Sequence, residues 1–402
     1  MGGGGRRMSM RMKRATALLL AALLALAWGA LAEGAGRMMR PGRPAQTAAP
    51  EPTPEPELRS ARIRAVGDLM AHQKQLNAAL QPDGSYDFHP QYELIAPSLA
   101  DADYTLANLE TTVGRQEGRA YSGYPMFNSP EALLDAVRDA GVDFLTLANN
   151  HILDRGMDGL LSTVENVEAW GFDFAGANRT PEEQAAPVVV DVNGISIGLL
   201  CWTEMTNGME KANRAAREYG VNYLRDADIE GDVEKLRDAG AEVVFALVHW
   251  GVEYRRKPEK ATVALAQRMV AAGVDVVLGS HPHMVQPIEF VQAEDESGNI
   301  RRGLVAYSLG NFISNQGKQY TDTGILLEFT LREREDGGFD IRDVGFVPTY
   351  CWRTSDMVRT LPSLMYPEEG PEGMESVAWN RLKASREELR ALIDESIPML
   401  ER

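Results

Sequence analysis

Four of the six histidines in this 402-residue chain follow short apolar runs. His281 and His283 lie one residue apart in GSHPHMVQ (279–286), and His151 and His249 also stand directly after apolar segments. Neutral imidazoles bind borderline transition metals and take part in acid–base catalysis. A lone histidine is more often structural than a ligand, but four at comparable positions indicate one shared site.

Carboxylates and amides occupy equivalent positions after other apolar runs. Asp68 follows the first run, Asn108 and Glu110 the second, and Asn149 and Asn150 the third. Open α/β sheets place their ligand sites at such strand ends. Carboxylate and amide oxygens with neutral imidazoles suit one or two divalent transition metals such as Mn²⁺, Fe or Zn²⁺. No cysteine joins the set, which excludes a cysteine-ligated structural zinc site.

Five further polar residues lie near these segments. Glu253 in HWGVEYRRKP could orient a ligand or transfer a proton, and Arg255 could bind the phosphate or carboxylate of a substrate. Asn311 ends a strand pattern and could also orient a ligand, although Gly-Asn is equally ordinary turn chemistry. His72 could belong to the site or have a structural role, and His89 is interpreted as structural.

The elements that must position these residues alternate between strand and helix patterns. Asn193-Gly194 between two β-rich runs predicts a hairpin. Strands are predicted within 62–70, 103–110, 142–151, 188–202, 241–251, 274–283, 303–312, 324–333 and 340–349. Helices are predicted over 129–141, where Ser129 would be the N-cap, and near 156–170, 229–240 and 259–272. This alternation favours a layered α/β or α+β domain with a central sheet and helices on its faces.

The first 32 residues have the pattern of an export signal. A basic stretch without acids precedes the apolar run 15–32, and Ala30 and Ala32 form a small-x-small cleavage motif before Glu33. The run is also long enough to span a bilayer if it is retained as a signal-anchor. Both alternatives predict an extracytoplasmic protein, either secreted or anchored to the cell membrane through residues 1–32.

The rest of the chain divides into three parts. Residues 33–60 predict a proline-rich linker, 61–350 a single domain, and 351–402 a C-terminal extension ending in an acidic helix. The two cysteines, Cys201 and Cys351, could pair in an exported protein.

The chain is acidic, with a formal net charge of -17. A general nucleic-acid binder needs a basic surface for the phosphate backbone, so that class is excluded. An anionic substrate would have to be held by local positive charge or by a metal.

Six motifs in sequence order resemble one family. AVGDLMAH, ANLE, LANNHILDRG, VHWGVEY, GSHPHMVQ and YSLGNF are similar to the bacterial capsule-synthesis family CapA, also called PgsA, which is associated with poly-γ-glutamate. The resemblance covers roughly residues 60–350. That family is in turn similar to calcineurin-like metallophosphoesterases, which implies a metallo-dependent phosphatase-like β-sandwich flanked by helices.

The resemblance implies roles for individual residues. His151 would protonate the leaving group, and Asp154 would orient it. The residues that would bind metal are Asp68, Glu110, Asn150, His249, His281 and His283. The chain departs from the phosphoesterase pattern at Met70, where a histidine is usual, and at Asn108-Leu109-Glu110, where Gly-Asp is usual. These departures leave one or two metals as alternatives.

The resemblance thus implies an exported, surface-attached protein acting in synthesis, export or anchoring of an anionic capsule polymer, poly-γ-glutamate. It would carry a metal-dependent hydrolase-like site and act with membrane-bound ligase or export subunits. Two alternative functions are also consistent with the sequence. One is a non-catalytic assembly or polymer-binding subunit, and the other is a general extracytoplasmic metallophosphoesterase acting on a phosphoester substrate.

Overall fold

The structure is a computed structural model that describes residues 58–114, 120–366 and 368–401. The predicted export signal (1–32) and nearly all of the predicted linker (33–60) lie outside the described residues. None of the described helices combines the length and the apolar character that crossing a bilayer requires.

The described residues form two β-sheets. Their strands are β1 (Ser60–Leu69), β2 (Tyr104–Leu109), β3 (Phe144–Thr146), β4 (Asp173–Ala175), β5 (Val189–Val192), β6 (Ile195–Thr203), β7 (Val243–His249), β8 (Val276–Ser280), β9 (Ile288–Glu294), β10 (Ile300–Ala306), β11 (Asn311–Ile313), β12 (Thr323–Glu333), β13 (Phe339–Arg353) and β14 (Val358–Pro362). The first sheet has the order β14-β13-β12-β1-β2-β3-β4, with β11 beside β1, and the second has the order β5-β6-β7-β8-β10-β9.

Each sheet contains a parallel block. Strands β1 to β4 run parallel in the first sheet, and β6, β7, β8 and β10 run parallel in the second. Because parallel strands end on the same side, each block gathers the residues that follow its strands at one edge.

The described residues also form nine α-helices. They are α1 (Gln73–Ala79), α2 (His89–Tyr92), α3 (Ala96–Leu99), α4 (Ala132–Asp139), α5 (Gly156–Ala169), α6 (Pro181–Ala185), α7 (Ile229–Asp238), α8 (Lys260–Ala272) and α9 (Ser376–Arg390). Short 3-10 turns span Met209–Ala212, Leu224–Asp226 and Ser363–Met365, and a π-turn spans Ala216–Gly220.

The core has three main layers. Side chains of both sheets meet between them, as where the Phe245 and Phe329 rings lie 5.7 Å apart. Helices α1, α4 and α5 pack on the outer face of the first sheet, and α7 and α8 pack on that of the second. The predicted β-sandwich flanked by helices is therefore confirmed, with two sheets in place of the single central sheet that strand–helix alternation suggests.

Two local predictions can be compared with the structure. Asn193 and Gly194 both adopt left-handed backbone angles, with φ of 54° and 78°, and form the expected hairpin turn. The predicted helix over 129–141 begins only at Ala132, with Glu131 as its N-cap. Ser129 is not the N-cap, because its hydroxyl is hydrogen-bonded to that of Thr111 at 2.8 Å and not to a helix amide.

The C-terminal residues pack onto the first sheet. Strand β13 runs to Arg353 and pairs with β14. The Phe346 amide donates to the Pro398 carbonyl, and the Leu400 amide donates to the Phe346 carbonyl. Both Cys201 and Cys351 are buried and unpaired.

Candidate metal centre

The carboxyl ends of four strands meet at one edge of the sandwich. Asp68 and Asn108 are register partners near the ends of β1 and β2. In the second sheet, His249 and Ser280 are register partners at the ends of β7 and β8. Both parallel blocks therefore deliver polar residues to the same place.

The remaining candidate ligands follow these strands or β3. Glu110 comes directly after β2, and Asn149 to His151 lie in the turn after β3. His281 and His283 follow β8 and adopt left-handed backbone angles, with φ of 97° and 57°. Such angles are uncommon outside glycine and concentrate at functional sites.

Glu110 lies at the centre of the cluster. Its Oε1 atom is 3.8 Å from His249 Nε2 and 3.8 Å from His283 Nε2. Two groups, each with its ligand atoms within 4.8 Å of one another, share this residue. They are Glu110, His281 and His283, and Asp68, Glu110 and His249. The arrangement suits a carboxylate that bridges two cations, or one cation in either group.

Hydrogen bonds fix the acidic side chains. Asn108 Nδ2 donates to Asp68 Oδ1 at 2.8 Å and to Glu110 Oε2 at 3.3 Å. His283 Nδ1 lies 3.0 Å from Asp68 Oδ2. Asn149 Nδ2 donates to the Leu109 carbonyl at 2.7 Å. Asn108, predicted to bind substrate, therefore holds two carboxylates in place.

His249 is oriented through both ring nitrogens. Its Nδ1 atom lies 3.0 Å from Ser280 Oγ, and its Nε2 atom lies 3.1 Å from Asn150 Oδ1. With the proton on Nε2, that nitrogen donates to Asn150 Oδ1, and Nδ1 accepts from the Ser280 hydroxyl. The other tautomer has the proton on Nδ1, so that the hydroxyl accepts and the Nε2 lone pair can bind a cation. Ser280 was not among the predicted site residues, although it directly precedes His281 in the same motif.

Burial governs the protonation of the cluster. Burial and then the neighbouring Asp68 carboxylate raise the pKa of Glu110 well above its ordinary value. Burial and then the adjacent histidines hold the pKa of His249 well below its ordinary value. Burial, followed by His283, lowers the pKa of His281 to about 4. The imidazoles of His249 and His281 are thus neutral at physiological pH, as metal ligands must be.

Two buried atoms of the cluster have no hydrogen-bond partner among the described residues, Glu110 Oε1 and His281 Nδ1. Buried polar atoms are nearly always satisfied, so each exception needs an explanation. A divalent cation supplies one, because carboxylate oxygens and neutral imidazole nitrogens are its ordinary ligands. The residues present therefore fit such an ion.

A histidine–carboxylate pair lies beside the cluster. His151 Nδ1 is 2.7 Å from Asp154 Oδ2, and the Phe127 amide donates to the same oxygen at 2.7 Å. Burial raises the pKa of Asp154, and the hydrogen bond from His151 opposes this shift. The Phe127 ring meets the imidazole edge-on, with ring centroids 4.7 Å apart. Phe127, which sequence reasoning missed, thus fixes the pair from two sides.

Three weaker candidates differ in position. Glu253 is partly exposed, with Oε1 4.0 Å from His283 Nε2. Arg255 is exposed, and its carbonyl accepts from Gln286 Nε2 at 2.9 Å. Asn311 is fully buried beside Asp68 in the β1–β11 pair, and its Nδ2 donates to the Thr321 carbonyl.

The last two histidines, His72 and His89, lie in different surroundings. His72 Nδ1 accepts from the Asn315 amide at 3.3 Å, and its ring centroid lies 5.2 Å from that of Phe127. Burial, followed by His283, lowers its pKa to about 4. His89 lies elsewhere, between the carboxylates of Asp87 and Asp139.

Comparisons with known proteins agree on one family. Residues 62–316 match the family model described as bacterial capsule synthesis protein PGA_cap. The capsule biosynthesis protein CapA of Bacillus anthracis is 29% identical over 74% of this chain and 70% of its own length. The PGA biosynthesis protein CapA of Bacillus subtilis is 26% identical over 63% of this chain and 64% of its own length.

Other similarities are more distant. A probable polyglutamine synthesis accessory protein of Mycobacterium tuberculosis is 31% identical over 48% of this chain and 53% of its own length. Among solved structures, the NAD nucleotidase of Haemophilus influenzae is 11% identical, with a TM-score of 0.41, over 84% of this chain and 57% of that one. The match over residues 62–316 shows that the chain belongs to the bacterial capsule synthesis protein family PGA_cap.

Proposed function

We propose that this protein is exported and surface-attached, and that it acts in synthesis, export or anchoring of poly-γ-glutamate through a metal-dependent hydrolase-like centre. Family membership supports the capsule role, because the family is described as bacterial capsule synthesis protein and the two Bacillus relatives are named for capsule and PGA biosynthesis. Export is proposed from the basic and apolar pattern of residues 1–32. Membrane-bound ligase or export subunits are the partners that this role requires.

One observation carries the proposal of a metal centre. Glu110 Oε1 is buried without a hydrogen bond and lies 3.8 Å from the Nε2 atoms of His249 and His283. A chain that used these groups only for packing would leave a buried oxygen and a buried imidazole nitrogen unsatisfied.

The proposed metal ligands are Asp68, Glu110, Asn150, His249, His281 and His283. A divalent cation held there would act as a Lewis acid toward a phosphoryl or amide carbonyl oxygen of the substrate. Asn108 and Ser280 keep these groups in position through the hydrogen bonds to Asp68 and His249. We propose Mn²⁺, Fe or Zn²⁺, one or two per chain, as the ion.

His151 is the proposed general acid. Its Nδ1–H donates to Asp154, which sets the ring orientation and the tautomer. The Nε2 atom is then the one that can give a proton to the leaving group. Asp154 acts only through His151 in this scheme and serves as a positioning residue.

A non-catalytic subunit is the second candidate, and Met70 favours it. Phosphoesterases carry a metal-binding histidine at the corresponding position, and here a buried thioether replaces it. The loss of one imidazole would weaken or remove one of two metal positions. The protein could then bind polymer or assemble with partners without hydrolysing a bond.

Metal analysis of the purified full chain, combined with a generic phosphodiester assay, tests the proposal. We expect bound metal and turnover in the wild type, and loss of both in His281→Ala. His89→Ala is the matched control, because that surface histidine lies between two exposed carboxylates. Absence of metal and turnover from the wild type would reject both enzymatic interpretations. Metal without turnover would support the assembly subunit.

A further inference from the structure

Two loops beside the metal centre are joined by a reciprocal pair of cation–π contacts. Lys318 Nζ lies 3.4 Å from the ring centroid of Tyr254, and the Arg256 guanidinium carbon lies 4.3 Å from that of Tyr320. Each loop thus gives one tyrosine and one cation to the other. We call Tyr254, Arg256, Lys318 and Tyr320 the clasp.

The backbone of the clasp is held in place. Tyr254 and Tyr320 adopt left-handed backbone angles, with φ of 63° and 69°. The Tyr254 amide donates to the Pro282 carbonyl at 2.9 Å, between the two histidines of the site. Buried Thr321 donates from Oγ1 to the Lys318 carbonyl at 2.7 Å. Uncommon backbone angles maintained by such contacts are typical of functional sites.

The clasp borders the metal centre directly. The Tyr254 ring centroid lies 5.9 Å from that of His283, which is itself in the Glu110 group. Glu253 comes immediately before Tyr254 and lies 4.0 Å from His283 Nε2. A molecule bound to the clasp would therefore lie close to His283 and the other candidate ligands.

The positive charge of the clasp is not neutralised. Within the described part of the chain, Lys318 and the neighbouring Arg255 have no carboxylate partner. Arg256 donates to a backbone carbonyl, that of Glu388, and not to an acid. An aromatic face attracts a cation without carrying a negative charge, so the ammonium group can still accept a carboxylate.

We propose that the clasp is a carboxylate-binding subsite, where Lys318 holds a side-chain carboxylate of an acidic polymer next to the metal centre. The partner is a polycarboxylate, which an ammonium on a rigid aromatic face binds through charge and not through base or sugar recognition. Arg255, exposed on the same loop, would contact a second carboxylate. This inference rests on the proposed function, since it names the polymer contact of that same centre.

Binding of fluorescein-labelled poly-γ-glutamate to the purified full chain tests the subsite. Lys318→Met keeps most of the stem and removes the charge, and we expect it to weaken binding about 5-fold at low salt. The difference should shrink as salt is raised, because exposed charges are screened. Lys318→Arg should bind like the wild type, since the positive charge remains.

Lys383→Met is the matched control. Lys383 is also an exposed lysine over an aromatic ring, with Nζ 5.2 Å from the Trp379 centroid on α9. We expect its polymer affinity and the metal content of every variant to equal those of the wild type. Equal affinity of Lys318→Met and wild type would overturn the subsite and leave the proposed function standing. A wild type that binds metal but no polymer would overturn both the polymer role and the subsite.

Discussion

Strand β1 buries charge at two places in opposite ways. Near its middle, Arg64 is 2% exposed and donates from Nε and Nη2 to Glu328 Oε2, at 2.8 and 2.6 Å, and from Nη1 to the Ser98 carbonyl. At its end, Asp68 lies beside a second acid and a group of histidines, and Glu110 Oε1 has no hydrogen bond among the described residues.

We infer that the charge at Arg64 has a structural role, whereas the charge at Asp68 and Glu110 has a functional one. The Arg64–Glu328 pair contains both signs, so it is complete when the chain folds. The cluster around Glu110 has carboxylates and the neutral imidazoles of His249 and His281, with no lysine or arginine among the contacts described for it. A buried group of this kind is completed by a cation from outside the chain. Substitutions at the two places should therefore have opposite effects on stability.

The largest effect is expected at the structural pair. Arg64→Met removes the guanidinium that pairs with the buried Glu328 carboxylate, so the free energy of unfolding should fall by about 3–5 kcal/mol. Urea unfolding measures this change. The double variant Arg64→Met, Glu328→Leu removes both charges and should recover most of the loss. If the free energy of unfolding of Arg64→Met lies within about 1 kcal/mol of wild type, the Arg64–Glu328 pair does not stabilise the fold as a structural charge pair should.

The next largest effect is expected at Glu110, where substitution should not lower the free energy of unfolding as it does at Arg64. The pKa of Glu110 is raised in the fold, so its contribution to stability is present at low pH and is lost as pH rises through that pKa. Glu110→Gln does not titrate and should leave the metal-free protein at pH 7 as stable as wild type or about 1 kcal/mol more stable. Metal affinity should fall about 100-fold or more, because a ligand is lost.

Urea unfolding in chelator and calorimetric titration with Mn²⁺ or Zn²⁺ check the two halves of this prediction. A marked loss of stability in chelator would mean that Glu110 supports the fold as Arg64 does. Unchanged metal affinity would mean that Glu110 is no ligand.

The comparison also explains what the sequence could predict. Asp68, Asn108 and His249 each end an apolar run, and parallel strands bring such ends together. A short window of sequence is enough to see that pattern. The prediction of a β-sandwich rested on the family resemblance, because alternation of strands and helices does not show whether the strands form one sheet or two.

The structural pair could not be predicted in this way. Arg64 stands in an ordinary strand pattern, and Glu328 is 264 residues away in the sequence. Nothing local marks either residue as buried. Ser280 and Phe127 were missed for a similar reason, since a hydroxyl and a backbone amide acquire their roles only from the neighbours that tertiary structure supplies.

The pH dependence of metal binding sharpens the contrast further. Below its raised pKa, Glu110 holds a proton that a metal must displace, whereas His281, with a pKa of about 4, is already neutral. Affinity should therefore rise with pH, by about tenfold per unit, until the pKa of Glu110 is passed. Titrations in two buffers of different ionisation enthalpy measure the released proton. Glu110→Gln should flatten the profile, and a wild-type profile that falls only near the histidine pKa would contradict this assignment.

The smallest effect is expected at Ser280, which contacts the cluster through His249. Ser280→Ala removes the acceptor 3.0 Å from His249 Nδ1 and frees the ring to rotate, so metal affinity should fall about 10-fold. Ser385→Ala is the matched control, because that buried serine donates to the Leu382 carbonyl within α9. Both variants lose one buried hydrogen bond, and the free energy of unfolding in chelator should fall by about 1 kcal/mol in each. Only Ser280→Ala should also lose metal affinity. Equal metal affinity in the two variants would mean that Ser280 supports the fold, as Arg64 does, and does not position a metal ligand.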